Sequence, residues 1–342
     1  MNSHSGMMGP GSVHGSSGHT GHSGDHSEHN IDALHIVAMV FAPLIVIENV
    51  ITFLAVTRVR NMYLTLKILL LNLNLGDTLL GFFFWLSNFL GYTEYGAEDT
   101  GLCYFRVISV IYLMLVVLSV ATCISLERFL SLYRPFDYAR LSSNRNLILV
   151  TVVIWLLPAV IIISAFSGEE IDVSICHVIS RRTFITLATA RGVQIVVICA
   201  SQLMVFRLAK AQVTKIGQQV TWTEKKATMS RLNQKLTFAT QVAIIPYLIM
   251  CVPHICLTIS MAVGPSRVYD SDWHKAMSAA WFICVIHGLI HPLTYCWALK
   301  SIRRQAFRGC RRCCGDDAVD EDSATATDYV PPTQTQTLTT IA

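Results

Sequence analysis

Seven stretches of this chain carry few charges and are long enough to cross a lipid bilayer. They lie at roughly 33–57, 66–91, 103–133, 147–168, 184–210, 236–264 and 276–298. A helix needs about 20 apolar residues to span a hydrocarbon core of about 30 Å. In lipid every backbone amide must find a partner inside the protein, and blocks of this length are too long for strands. The chain is therefore expected to be an all-α membrane protein, a seven-transmembrane helix bundle. Composition agrees: 14% of residues are charged and 53% hydrophobic, whereas soluble domains carry about 25% charged residues. Too few charges remain to coat a soluble globule of this size.

Basic residues set the expected orientation. Residues 1–57 hold no Lys or Arg. The first linker and the start of the second span hold Arg58, Arg60 and Lys67; the third span's end and its linker hold Arg128, Arg134, Arg140 and Arg145. Arg207, Lys210, Lys215, Lys225, Lys226, Arg231 and Lys235 lie between the fifth and sixth spans, and Lys300, Arg303, Arg304, Arg308, Arg311 and Arg312 follow the seventh. Positive residues stay inside, so the N-terminus is expected outside and the tail in the cytoplasm. The net charge of +4 follows from these loops and is no sign of nucleic-acid binding. Residues 1–30 contain no apolar core of a signal peptide, so the first helix is expected to direct insertion itself.

The ends read differently from the middle. Residues 1–32 are rich in Gly, Ser and His, among them His4, His14, His19, His22, His26 and His29. A disordered extracellular tail is expected there, ahead of weak zinc or copper binding or pH sensing. The seven-helix core would occupy 33–298 and a short amphipathic eighth helix 299–309, with Ile302, Ala306 and Phe307 on one face. Cys310, Cys313 and Cys314 stand among arginines, a setting that suits palmitoylation at the inner leaflet, the alternative being unmodified thiols. Residues 310–342 are expected to be a disordered cytoplasmic tail. It holds an acidic run and then Thr333, Thr335, Thr337, Thr339 and Thr340, hydroxyls whose phosphorylation would create a dense negative patch.

Of 11 cysteines, only Cys103 and Cys176 fall on the predicted outer side. Two thiols in an oxidising compartment are expected to pair, tying the loop after the fourth span to the third helix; the alternative is two free thiols.

Taken in order, the motifs resemble those of the rhodopsin-like G-protein-coupled receptors. Glu48-Asn49-Val50 is similar to the first-helix Gly-Asn motif, and Asn72-Leu73-Asn74-Leu75-Gly76-Asp77 to the second helix's Asn-Leu-x-x-x-Asp. Cys103 precedes Arg128 by the family's spacing, and Glu127-Arg128-Phe129 followed by Pro135-Phe136-Asp137-Tyr138 resembles Asp-Arg-Tyr with its Pro-Leu-x-Tyr. Trp155 suits the fourth helix, Tyr247 and Pro253 the sixth, and His291-Pro292-Leu293-Thr294-Tyr295 falls on Asn-Pro-x-x-Tyr. Departures are equally plain. Met250 and Cys251 replace the sixth helix's Cys-Trp, the fifth helix lacks its proline, Val285 stands where an opsin has its retinal lysine, and Val110 where an amine receptor has its aspartate.

The resemblance implies a receptor of the plasma membrane that binds an extracellular ligand and activates a heterotrimeric G protein, with receptor kinases and arrestin acting through the tail. It implies no enzyme activity and no cofactor. The rival reading is an ion- or proton-coupled seven-helix transporter; within receptors, an odorant-type chemoreceptor. Glu127, Arg128 and Tyr295 would form the coupling switch, with Asn233 where many relatives place an acid that latches the arginine, and Pro253 and Pro292 would act as hinges. Asn49, Asp77, His287 and His291 would form a buried polar site. In relatives Asp77's counterpart binds sodium with polar residues of the third and seventh helices, positions that here hold Val117, His287 and His291. The two histidines share a helical face. Imidazoles are expected to replace the sodium shell, as a proton-coupled pair or as two neutral, satisfied rings, ahead of a metal held by all three residues. Arg106, Arg191 and His254 would line a ligand pocket that favours an anion such as a carboxylate, unless the arginines pair with Glu169, Glu170 or Asp172.

Overall fold

The computed structural model describes residues 25–59, 62–91, 99–134, 137–138, 142–168, 171–172, 177–178, 180–218, 224–264 and 271–314. The side chains of several helix ends, among them 25–35, 212–218, 224–236 and 308–314, fall outside that description. The helices are α1 Asp25–Arg58, α2 Leu64–Gly91, α3 Thr100–Tyr133, α4 Asn144–Phe166, α5 Arg181–Gln218, α6 Glu224–Val263, α7 Ser271–Ile286, α8 Ile290–Ala298 and α9 Lys300–Cys314. A 3-10 turn, His287–Leu289, joins α7 to α8, so these three pieces make up the seventh span. Among the described residues the only strands are Ile171–Asp172 and His177–Val178, a two-residue antiparallel pair.

Seven of these segments are long and apolar enough to cross a membrane. Their outer faces are greasy: Ile148, Val160 and Ile163 of α4 are 66%, 62% and 69% exposed, a surface that water would penalise and lipid would not. The core is centred on α3, whose side chains are all buried from Leu113 to Ala121, with further buried positions from Cys103 to Arg128. Asp99 caps its start by accepting from the Leu102 amide at 2.8 Å.

Several hydroxyls along the spans are satisfied by their own helix. Thr78, Ser119, Thr122 and Ser125 each donate to the carbonyl four residues back, which makes a polar side chain tolerable in lipid. Polar side chains also stitch helices together, where burial of apolar surface alone gives little drive. Trp155 of α4 donates to Asn72 of α2 at 2.9 Å, and Gln194 and Gln202 of α5 donate to Ser119 and Ser125 of α3 at 2.8 and 3.0 Å.

Helix ends run past the apolar blocks. α1 starts ahead of the expected residue 33, α5 and α6 extend beyond 210 and before 236, and α9 continues past 309. Hydropathy marks where lipid lies; it does not mark where a helix stops. Good helix formers such as Glu224, Lys225, Lys226 and Ala227 carry the helix on without apolar residues. α9 packs against α1 and α8, with Ile302 fully buried. Phe307, expected on the same face, is 59% exposed, because five residues of helix turn it about 140° away from Ile302. Cys310, Cys313 and Cys314 lie in the last turns of α9, their side chains outside the described ones.

Candidate functional site

The seventh span breaks for a reason written in its sequence. Pro292 has no amide hydrogen to give to the carbonyl of Gly288, four residues earlier. That carbonyl accepts instead from Asn49 Nδ2 of α1, at 2.9 Å, and the same amide nitrogen donates to Ile45 O at 2.9 Å. α1 and the turn are pressed together. A Cβ on Gly288 would stand 2.9 Å from Ile45 Cγ2, so any larger residue would have to displace Ile45. Pro253 causes no such break: α6 runs on as a helix through both Pro246 and Pro253.

This turn brings His287 and His291 to Asp77 of α2. All three are buried, with exposures of 1%, 2% and 0%. His291 Nδ1 donates to Asp77 Oδ2 at 2.9 Å. His287 points its Nδ1 at the Cys284 carbonyl, while its Nε2 lies 3.5 Å from Asp77 Oδ1. Neither of those last two atoms makes a hydrogen bond. Tyr247 of α6 packs against the pair, tilted to His287 with ring centres 4.3 Å apart and edge-on to His291 at 5.8 Å. Asn49, the fourth expected member, joins through the Gly288 carbonyl. Val117 of α3 is fully buried, its Cγ2 3.1 Å from where a Cβ on Gly76, the neighbour of Asp77, would stand. Two imidazoles and a valine do not fit sodium, since hard cations take oxygen ligands.

One end of α3 carries a second buried charge. Arg128 is 1% exposed and Glu127 5%, and the guanidinium donates to the adjacent carboxylate through both Nε and Nη2. Tyr138, in the helical turn after α3, donates its hydroxyl to the same Glu127 Oε1 at 2.5 Å. Burial first, and the Glu127 carboxylate second, push that hydroxyl up to about 12. It therefore remains a donor at every pH below the ordinary tyrosine range near 10, and the bond is lost only as pH climbs through about 12. The sequence marked Tyr138 only as part of a turn motif; its bond to Glu127 was not foreseen. Tyr295 is buried, but its hydroxyl makes no hydrogen bond, so none joins it to Glu127 or Arg128. Pro135 lies outside the described residues, as does the side chain of Asn233.

Toward the Cys103 end, a cavity opens among α3, α5, α6 and α7, lined by Met114, Arg191, Tyr247, Cys251, His254 and Cys284 among others. It is narrow: the centre of a water molecule has about 10 Å³ to move in. Arg191 and His254 are 5% and 4% exposed. Arg191 Nη1 lies 2.6 Å from His254 Nδ1; since a guanidinium only donates, the ring accepts there. The Sγ atoms of Cys251 and Cys284 lie 3.2 Å apart, a contact between α6 and α7 that no spacing in the sequence announced. Arg106, expected beside Arg191 and His254, does not line this cavity. It sits two turns earlier on α3 than Met114, too far along the helix axis.

Cys103 is disulfide-bonded. Its expected partner Cys176 lies outside the described residues, as do Glu169, Glu170 and the side chain of Asp172.

In fold, the chain is similar to squid rhodopsin, with a TM-score of 0.70 over 86% of this chain and 89% of that one, at 13% identity. No curated protein sequence matches. The model of the family described as 7 transmembrane receptor (rhodopsin family) matches residues 48–295, most of the chain and every span from the second half of α1 to α8. On that match, the chain is a multi-pass membrane protein and belongs to the rhodopsin family of seven-transmembrane receptors.

Proposed function

We propose that this receptor binds an extracellular ligand carrying an anionic group and activates a heterotrimeric G protein at the Arg128 end of α3. The N-terminal segment 1–32 lies outside the plasma membrane in this reading, and residues 310–342 lie in the cytoplasm. Kinases and arrestin act through the tail threonines, and acylation falls at Cys310, Cys313 and Cys314.

The observation that carries the coupling is the buried Glu127–Arg128 pair with Tyr138 bonded to it. A guanidinium sheltered at a helix end needs an anion, and Glu127 is that anion. A side chain that can exchange one partner for another is what a switch at a G-protein interface requires. The ligand chemistry follows from Arg191. Among the described residues it has no carboxylate partner, only His254 and the Met114 sulfur. A buried cation without an anion is expensive, and a carboxylate ligand would relieve it.

The test is nucleotide exchange on purified Gα subunits of several classes, with the receptor in lipid nanodiscs. Tyr138→Phe removes one charge-assisted bond from a partly exposed group, worth about 1 kcal/mol after screening. Ligand-free exchange should rise roughly fivefold, and Arg128→Ala should drop to background. Within about pH 6 to 9 the Tyr138 contribution should be flat, because its hydroxyl titrates higher. Background exchange by correctly inserted wild type and Tyr138→Phe, for every class, would sink the reading. Proton or ion flux into sealed vesicles would then point to the transporter alternative.

A further inference from the structure

We propose that Asp77, His287 and His291 form a binding site for a divalent transition-metal ion, zinc in the first place, that clamps α2 to the break in the seventh span. The site is independent of the ligand and G-protein reading above.

The argument begins with a proton. A backbone carbonyl only accepts, so the Nδ1 of His287 that faces the Cys284 carbonyl carries the hydrogen. A neutral ring then presents a lone pair at Nε2. That lone pair looks across 3.5 Å at Asp77 Oδ1, another lone-pair atom, in a pocket where the two residues are 1% and 0% exposed. Neither atom has a hydrogen-bond partner. Two acceptors facing one another in a dry interior are unfavourable unless something positive sits between them.

Geometry says what fits. Among the described residues this is the one group of three His, Cys, Asp or Glu side chains whose donor atoms all lie within 4.8 Å of one another. In a tetrahedral site with bonds of about 2.0–2.1 Å, ligand atoms stand roughly 3.3 Å apart. The carboxylate-to-ring distances here are 2.9 and 3.5 Å, either side of that value. Two imidazole nitrogens and one carboxylate, with an open fourth position, is a zinc-type donor set and unlike that of sodium, calcium or magnesium. The outer shell is also in place. The Cys284 carbonyl fixes the His287 tautomer, as an outer-shell acceptor does for a metal-binding histidine. His291 would bind through Nδ1, its proton shifting to Nε2. The fourth position falls to a water, and Tyr295, one turn beyond His291 on the same face, carries a buried hydroxyl with no partner to meet it. Tyr247, which packs against the two rings, and Cys284 also line the neighbouring cavity.

The experiment uses the full-length receptor in nanodiscs, stripped of metal, with Co²⁺ and then Zn²⁺ as probes. Four-coordinate Co²⁺ in a buried site absorbs strongly in visible light, whereas six-coordinate, water-rich Co²⁺ on the N-terminal histidines does not. The wild type should develop this absorbance to one ion per receptor and lose it on addition of Zn²⁺, which should also raise the unfolding temperature. His287→Gln and His291→Asn should weaken binding by more than the roughly 10–100-fold that loss of an outer-shell partner brings. Asparagine keeps His291's hydrogen bond to Asp77 available, so His291→Asn guards against simple misfolding, and its folding is checked by its own unfolding transition. No absorbance in the wild type overturns the proposal and leaves a proton between His287 and Asp77. Absorbance that survives in both variants overturns it as well, and places the ion elsewhere.

Discussion

Among the described residues two carboxylates are buried, Asp77 and Glu127, and they are treated differently. Glu127 accepts two bonds from Arg128 and one from Tyr138. Asp77 has one oxygen bonded to His291 and the other facing a ring nitrogen with no hydrogen between them. The first cluster is complete from the chain's own residues. The second is one positive charge short. A complete ion pair holds a conformation until something competes for its members, whereas an incomplete one responds to whatever small cation reaches it. On the two proposals above, one buried charge serves a protein partner and the other a proton or a metal.

The contrast can be broken first at the complete cluster. Glu127→Ala leaves Arg128 buried without an anion, a loss of about 3–5 kcal/mol if the guanidinium stays where it is. The purified protein should unfold at a much lower temperature, or its ligand-free nucleotide exchange should climb if the arginine escapes to water. A variant unchanged in both would show that Glu127 is not the partner that matters. A smaller effect is expected at the incomplete cluster when its scaffold is disturbed and its ligating atoms are left alone. Gly288→Ala drives a methyl group into Ile45, an overpacking cost of about 1–3 kcal/mol. Combining it with Ile45→Ala should recover part of that loss, and a double-mutant cycle in unfolding free energy should show coupling of at least about 0.5 kcal/mol. Strict additivity would mean that α1 and the turn do not press on each other. The smallest effect sharpens what burial contributes. Arg134 and Asp137 form an ion pair at 3.4 Å with both side chains more than 60% exposed. Asp137→Asn should shift stability by less than about 0.5 kcal/mol, against several for Glu127, although both variants break an arginine–carboxylate pair.

The fold was legible because its governing variable is one-dimensional. A run of apolar residues states its own length, and length against bilayer thickness decides the span. Asp77, His287 and His291 were also readable as a group, since i, i+4 spacing fixes a shared face and the ordered motifs set α2 beside the seventh span. What the sequence could not show depends on directions between helices. Arg106 was grouped with Arg191 and His254 by charge and by its place near one end of α3, and helix rise put it out of reach. Cys251 and Cys284 are 33 positions apart, with no local signal that their sulfurs meet. The Tyr138 bond to Glu127 needed the turn after α3 to fold back, which no pattern of hydropathy encodes.

The exchange of partners at Pro292 has a mechanical consequence. Because the Gly288 carbonyl is held by Asn49, the pivot of the seventh span is bolted to α1, and α9 is braced against α1 as well. If α8 tilts about that pivot, it must either drag α1 with it or shear the Asn49 bond. Torque at the Gly288 pivot would therefore load α1 and α9 together, the first and last described helices of the chain.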